Sequence, residues 1–155
     1  MDIPDDVLAE IYLHAREEFP NECCGWLTGP KEADHVDRVR RAVNAYRPES
    51  HPTASDRTPE TAYVIDGADL IDLYRSLDGA EPPRIIYHSH PNGRAYFSPT
   101  DQKVAADPWG DGPAYPVRHL VVGIDADRVV ESRLHDWDDD EKRYVETARF
   151  DGADV

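Results

Sequence analysis

Cysteine is scarce in this 155-residue chain: it occurs twice, at the adjacent positions Cys23 and Cys24. A bridge between neighbours strains the peptide joining them, so no disulfide framework is expected. A reducing compartment suits such a chain, and two thiols without a second pair make a poor closed zinc site. Lysine is nearly as scarce, with 3 Lys against 14 Arg, and 17 basic residues face 32 acidic ones, 21 of them Asp. The resulting net charge of −15 leaves no cationic face for unaided binding to nucleic acid or to an anionic membrane. Salt adaptation and a GC-rich genome both produce an Asp-rich, Arg-over-Lys composition, and the composition does not separate them. No apolar run approaches the roughly 18 residues that a membrane-spanning helix needs. The opening residues MDIPDDVLAE lack a cationic segment followed by an apolar one, which places the expectation in the cytoplasm. Internal repeats and low-complexity tracts are also missing. At 39% hydrophobic and 32% charged, the chain suits one globular domain over residues 1–150 and a short tail over 151–155.

Helical and strand periods alternate along what is there. Residues 5–18 put Val7, Leu8, Ile11, Leu13 and Ala15 near helical spacing, Asp5 and Asp6 open the segment and Pro20 closes it. Strands are expected over 25–29, 36–43, 63–65 and 84–90, and a helix over 68–77 after Asp66. Ser98 and Pro99 read as the N-cap and first turn of another helix. Residues 119–124 and 128–134 form a hairpin around Asp125-Ala126-Asp127. The proline-bearing stretches 45–60 and 107–117 are loops, and the last twenty residues fit strand or helix equally. Helices alternating with strands imply an α/β, or layered α+β, architecture.

One constellation carries chemistry: His88-Ser89-His90-Pro91, then a stretch ending at Phe97, then Ser98-x-x-Asp101. Residues two apart on a strand point to the same side, so His88 and His90 can present two imidazoles to one point. Asp101 lies one turn into the following helix and can return a carboxylate there. Two imidazoles and one carboxylate leave a fourth position for water, the make-up of a catalytic zinc site. Taken separately, an HxH pair and an SxxD cap are common structural features. Their succession on a strand, a loop and a helix is not.

HSHP, the intervening residues and SxxD resemble the signature of the JAMM (MPN+) zinc metalloproteases. Pro20-Asn21-Glu22-Cys23-Cys24-Gly25-Trp26-Leu27-Thr28-Gly29 resembles the segment that carries that family's glutamate. The resemblance runs from the first helix to the hairpin around Asp125 and departs at none of the five functional positions. It implies a mixed, curved β-sheet flanked by helices, with a cytidine-deaminase-like layout. It also implies one Zn2+ per chain on His88, His90 and Asp101, with Glu22 as general base and Ser98 as donor to the oxyanion. Ser89 faces the opposite way on the strand and is expected to bond or pack behind the site.

The activity this implies is hydrolysis of an amide after the C-terminal Gly-Gly of a ubiquitin-fold partner, such as a sulfur-carrier protein. Trimming the carrier, releasing cysteine from it and removing a modifier from lysine share that chemistry. A narrow groove suits glycine, which has no side chain to meet its walls. A non-catalytic scaffold is disfavoured by the full set of site residues. A nucleobase deaminase needs H-x-E and P-C-x-x-C, and this chain has HSH and no CxxC. Cys24 is expected to be a small buried residue. Tyr96 and Phe97 are candidates for the groove wall and could equally cover the sheet edge, and Arg94 and Asn92 are candidate substrate contacts. His14, His35, His51, His119 and His135 show no ligand spacing, and Asp138 to Glu141 reads as a solvated run.

Overall fold

A single sheet separates two apolar clusters, and the chain's pattern of buried residues follows from that. The computed structural model describes residues 1–46 and 63–155. Their elements run α1 (Asp5–Glu18), β1 (Cys24–Thr28), β2 (Arg38–Ala42), α2 (Gly67–Ser76), β3 (Pro83–His90), α3 (Pro99–Ala105), β4 (Arg118–Ile124), β5 (Val129–Asp138) and β6 (Arg143–Ala153). The sheet order is β2-β1-β3-β4-β5-β6. Only β3 and β4 run parallel among these neighbours, as the crossover through α3 requires. The mixed α/β layout expected from the sequence is therefore present.

On one face, Val7, Leu8, Ile11, Tyr12 and Ala15 of α1 pack against Leu27, Ile85, Tyr87, Leu120 and Val122. On the other, Leu73 of α2 covers Cys24, Trp26, Ile86 and Val117. β3 and β4 are buried on both faces, which is why they read as nearly unbroken apolar runs rather than as alternations. Leu13, one of the apolar residues near helical spacing, is 46% exposed. The buried neighbour is Tyr12, whose hydroxyl lies 2.7 Å from Ser132 Oγ and donates to the Asp151 carbonyl at 2.8 Å.

Several boundaries shift. β1 begins at Cys24, and β2 is confined to Arg38–Ala42. The expected strand at 63–65 is reduced to a single bridge between Ile65 and Asn44. Most of the 45–60 loop, with His51, lies outside the described residues. The ambiguous C-terminal stretch is a strand, and β6 runs through Asp151 to Ala153, so three of the five residues read as a tail belong to the sheet. No helix among the described residues is long and apolar enough to cross a membrane.

Histidines are unusually prominent inside. His119 and His135 face each other across β4 and β5, both buried. Phe97 lies 5.2 Å from each ring and 5.3 Å from Tyr144. On the α1 face, His14 Nδ1 lies 2.7 Å from the Tyr87 hydroxyl. Burial is the leading cause that pushes His119 down to about 3, and His135 and His14 to about 4, from an ordinary 6.5. A histidine depressed in the folded state takes its proton more readily when unfolded. Its contribution is complete above pH 6.5 and is lost as the pH falls toward 4. Urea denaturation should accordingly show midpoints that fall steadily from pH 6.5 to 5, above the range where ordinary carboxylates titrate. A flat profile over that interval would contradict neutral buried imidazoles.

Candidate metal centre

β3 ends in the motif, and the two neighbouring segments are brought to that end by backbone bonds. Ser89 donates its N–H to the Cys23 carbonyl at 3.1 Å, and its hydroxyl oxygen accepts the Cys23 N–H at 2.8 Å. Ser89 thus stands behind the site, as alternation required, and stitches the segment before β1 to β3. That stitch, continuing the Cys24–His88 register, sets Glu22 beside the two imidazoles. Glu22 is buried, and a carboxylate oxygen of Glu22 lies within 4.8 Å of ligand nitrogens of both His88 and His90. Asn44 fixes the same segment by donating its amide N–H to the Glu22 carbonyl at 3.0 Å. Its amide oxygen accepts from the backbone N–H groups of Tyr46 and Val64, each at 3.1 Å.

The loop from β3 to α3 is laid on the sheet. Gly93 takes a φ of +78° and donates to the Ile124 carbonyl at 3.0 Å. It passes so close to Gly123 that a Cβ there would meet Gly93 carbonyl atoms at 2.6 Å, which is why β4 carries glycine at this point. Asn92, a candidate substrate contact, closes the turn by accepting the Arg94 N–H at 2.9 Å. Glu131 accepts the Ala95 N–H at 3.2 Å and is itself paired with Arg133 at 2.8 Å. α3 then begins with a capping box. Ser98 Oγ accepts the Asp101 N–H at 3.1 Å, and Asp101 Oδ2 accepts the Ser98 N–H at 2.9 Å.

The capping box aims Asp101 Oδ2 at the imidazoles. It lies 3.2 Å from His88 Nε2 and 3.2 Å from His90 Nε2, and the two nitrogens are 3.1 Å apart. Three donors bound at about 2.0–2.1 Å to one tetrahedral ion stand roughly 3.3 Å from each other, so the triangle has the size of a ligand set. His90 Nδ1 lies 3.0 Å from the Arg94 carbonyl. A carbonyl only accepts, so Nδ1 carries a proton, and Nε2 is the ring atom turned to Asp101 that could serve as a metal ligand. Tyr63 stacks on His88 with centroids 4.6 Å apart, and Tyr96 lies 5.2 Å from His90.

The electrostatics ask for a cation. Burial holds His88 below its ordinary value and so favours the neutral ring, against the pull of Asp101. Burial alone would raise Asp101, but the imidazoles of His88 and then His90 outweigh it and hold the carboxyl well below the usual range. An ionised Asp101 and the Nε2 atoms of two imidazoles turned to one point would stabilise a positive ion standing among them. The donor set thus fits a metal.

The structure brings all five expected site residues, Glu22, His88, His90, Ser98 and Asp101, to one place. Cys24 is fully buried, with burial raising its thiol. Phe97 turns into the histidine cluster rather than the groove wall, and His35 is half-buried at a backbone bridge to Asp2. Asn44, Tyr63 and the Arg94 carbonyl were not singled out in the sequence. No local spacing marks the first two, and the third is a backbone group.

The fold and this centre place the chain in a known class: it matches the family of prokaryotic homologues of the JAB domain over residues 4–137 and belongs to it. A CysO-cysteine peptidase of Mycobacterium tuberculosis is 37% identical over 104 residues, 66% of this chain and 64% of the relative. A Thermus thermophilus protein carrying the name "Probable TtuB-protein conjugate cleaving protease" is 33% identical over 104 residues, 66% of this chain and 62% of its own. The matched part of this chain thus spans under two thirds of the length of these curated relatives. A solution structure from Desulfitobacterium hafniense shares the fold with a TM-score of 0.64 at 21% identity, over 94% of this chain and 88% of its own.

Alanine at His88 or at Asp101 should each abolish retention of a divalent metal, because three protein ligands are what an open site uses. Elemental analysis after dialysis checks this. Metal retained at the parent level in both variants would refute the ligand set.

Proposed function

We propose that the protein is a zinc-dependent peptidase with one Zn2+ per chain on His88, His90 and Asp101. Its reaction is hydrolysis of the amide bond after the C-terminal Gly-Gly of a ubiquitin-fold, sulfur-carrier type of protein. The observation that carries the reading is the triangle of His88 Nε2, His90 Nε2 and Asp101 Oδ2 at 3.1–3.2 Å with buried Glu22 beside it. Membership of the JAB family and the names of the two relatives support it. Zinc so held supplies an acidified water and a Lewis acid for the scissile carbonyl.

Glu22 takes the proton of the attacking water and passes it to the leaving amine. Its burial keeps bulk water from competing for that proton. Ser98 Oγ accepts the Asp101 N–H, which leaves the hydroxyl proton to donate to the developing oxyanion, so cap and catalytic donor are compatible roles. The polar stitch through Ser89 and the bond from Asn44 hold the Glu22 backbone, so the base is placed before substrate arrives. Cysteine release from a carrier and removal of a modifier from lysine differ in the leaving amine, not in these residues. The Thermus relative's name favours lysine deconjugation as the second reading.

Glu22→Gln should retain zinc and fold while turnover drops by about 10²–10⁴, because the amide keeps the shape and cannot take the proton. Near-normal turnover in that variant would remove Glu22 from the reaction.

Substrate choice is tested with a folded carrier ending in Gly-Gly, its free C-terminal peptide and a Gly→Ala tail variant, followed by mass spectrometry of the C-termini. Efficient cutting of the first alone is expected, since an extended tail buries little surface and the folded body supplies the remaining affinity. Comparable cutting of casein or of the Ala tail would mean a general peptidase.

A further inference from the structure

We propose that Gln102 is a positioning residue for the metal centre, clamping α3 to the C-terminal strand and so holding Asp101 against the two imidazoles. α3 has seven residues, and Ala105 is its one buried side chain, while Val104 is 66% exposed. A helix that short with so little apolar surface covered is not held by packing alone. Polar contacts must fix it.

The strongest of these reaches β6. Gln102 donates its amide N–H to the Tyr144 carbonyl at 2.7 Å, and its amide oxygen accepts the Tyr144 N–H at 2.9 Å. β6 is an edge strand, so alternate residues turn both backbone groups away from β5. Tyr144 is one of these, and the Gln102 side chain bonds to it as the backbone of a further strand would. Tyr144 is itself fixed. It is nearly fully buried, its hydroxyl donates to the Val117 carbonyl at 2.7 Å, and its ring meets those of Phe97, His119 and Trp137. Phe97 precedes Ser98, so the same residue of β6 grips the loop entering α3 and the helix itself. Gln102 follows Asp101 directly, and a rotation of α3 about its axis would carry Oδ2 away from both Nε2 atoms. The match to the JAB family ends at residue 137, before β6 begins, so the clamp recruits a strand outside the matched segment.

The inference rests on the proposed ligand set for its metal arm and on the Gln102–Tyr144 hydrogen bonds alone for its clamp. The test uses Gln102→Met, which keeps length and loses both hydrogen bonds, and Gln102→Glu, which keeps the bond from the Tyr144 N–H and sets a carboxylate against its carbonyl. Zinc affinity is read by chelator competition, and hydrogen exchange is read on the metal-free full chain. Gln102→Met should weaken zinc by about 10-fold or more, the range for a partner that orients a ligand. Gln102→Glu should fall between it and the parent, and exchange should quicken in residues 99–105 while β3 and β4 keep their protection. Zinc affinity within twofold of the parent in both variants, whatever their melting temperature, would overturn the proposal and leave Gln102 a purely structural contact. If the parent binds no zinc, the ligand set fails instead. The exchange measurement then still decides the clamp: local opening of 99–105 upholds it, and unchanged exchange overturns it.

Discussion

A carboxylate oxygen held 3.2 Å from Nε2 of each of two buried imidazoles gathers three donors at a point where a cation would be stabilised. The surrounding structure is organised to hold that arrangement. The imidazoles are fixed by β3, the most thoroughly buried strand of the sheet, with the His90 tautomer set by the Arg94 carbonyl and the His88 ring stacked under Tyr63. The carboxylate is fixed by its own helix cap. The three donors are therefore oriented by four kinds of interaction: strand alternation for both imidazoles, ring stacking on His88, a backbone acceptor for His90 and a capping box for Asp101.

The two faces of the sheet divide the work. The α1 face carries most of the apolar packing, and its buried polar groups, such as Tyr12 with Ser132 and His14 with Tyr87, are paired. The other face has a smaller cluster and gives up part of its area to polar residues of the centre. The larger apolar cluster lies on one side, and the buried polar groups of the centre lie on the other. The single layer of strands transmits the constraint through Ser89, which bonds backward to Cys23 while its neighbours point forward.

The acidic surface has a consequence for partners. A protein with net charge −15 associates fastest with a partner that offers basic residues around the bound segment.

His88, His90, Ser98 and Asp101 could be read from the sequence because their geometry is local: a strand repeats every two residues, and a capping box closes within one turn. Glu22 could be read by its place before an apolar strand and by family resemblance, since nothing local marks it. Leu13 keeps the helical spacing yet stays exposed, while its neighbour Tyr12 is buried with its hydroxyl bonded in β5 and β6. β6 was ambiguous because an edge strand with one exposed face carries residues that suit a helix equally well; pairing with β5 decided it. Gln102 and Tyr144 stand 42 residues apart, and Asn44 lies 20 or more residues from both Glu22 and Val64. No periodicity links such positions. The sequence by itself determined that His88 and His90 share a strand face and that Ser98 and Asp101 share a helix cap, because strand and helix periods are short. Only the tertiary structure decided what holds them at 3.1–3.2 Å, because backbone groups and side chains distant along the chain meet only when the sheet has formed.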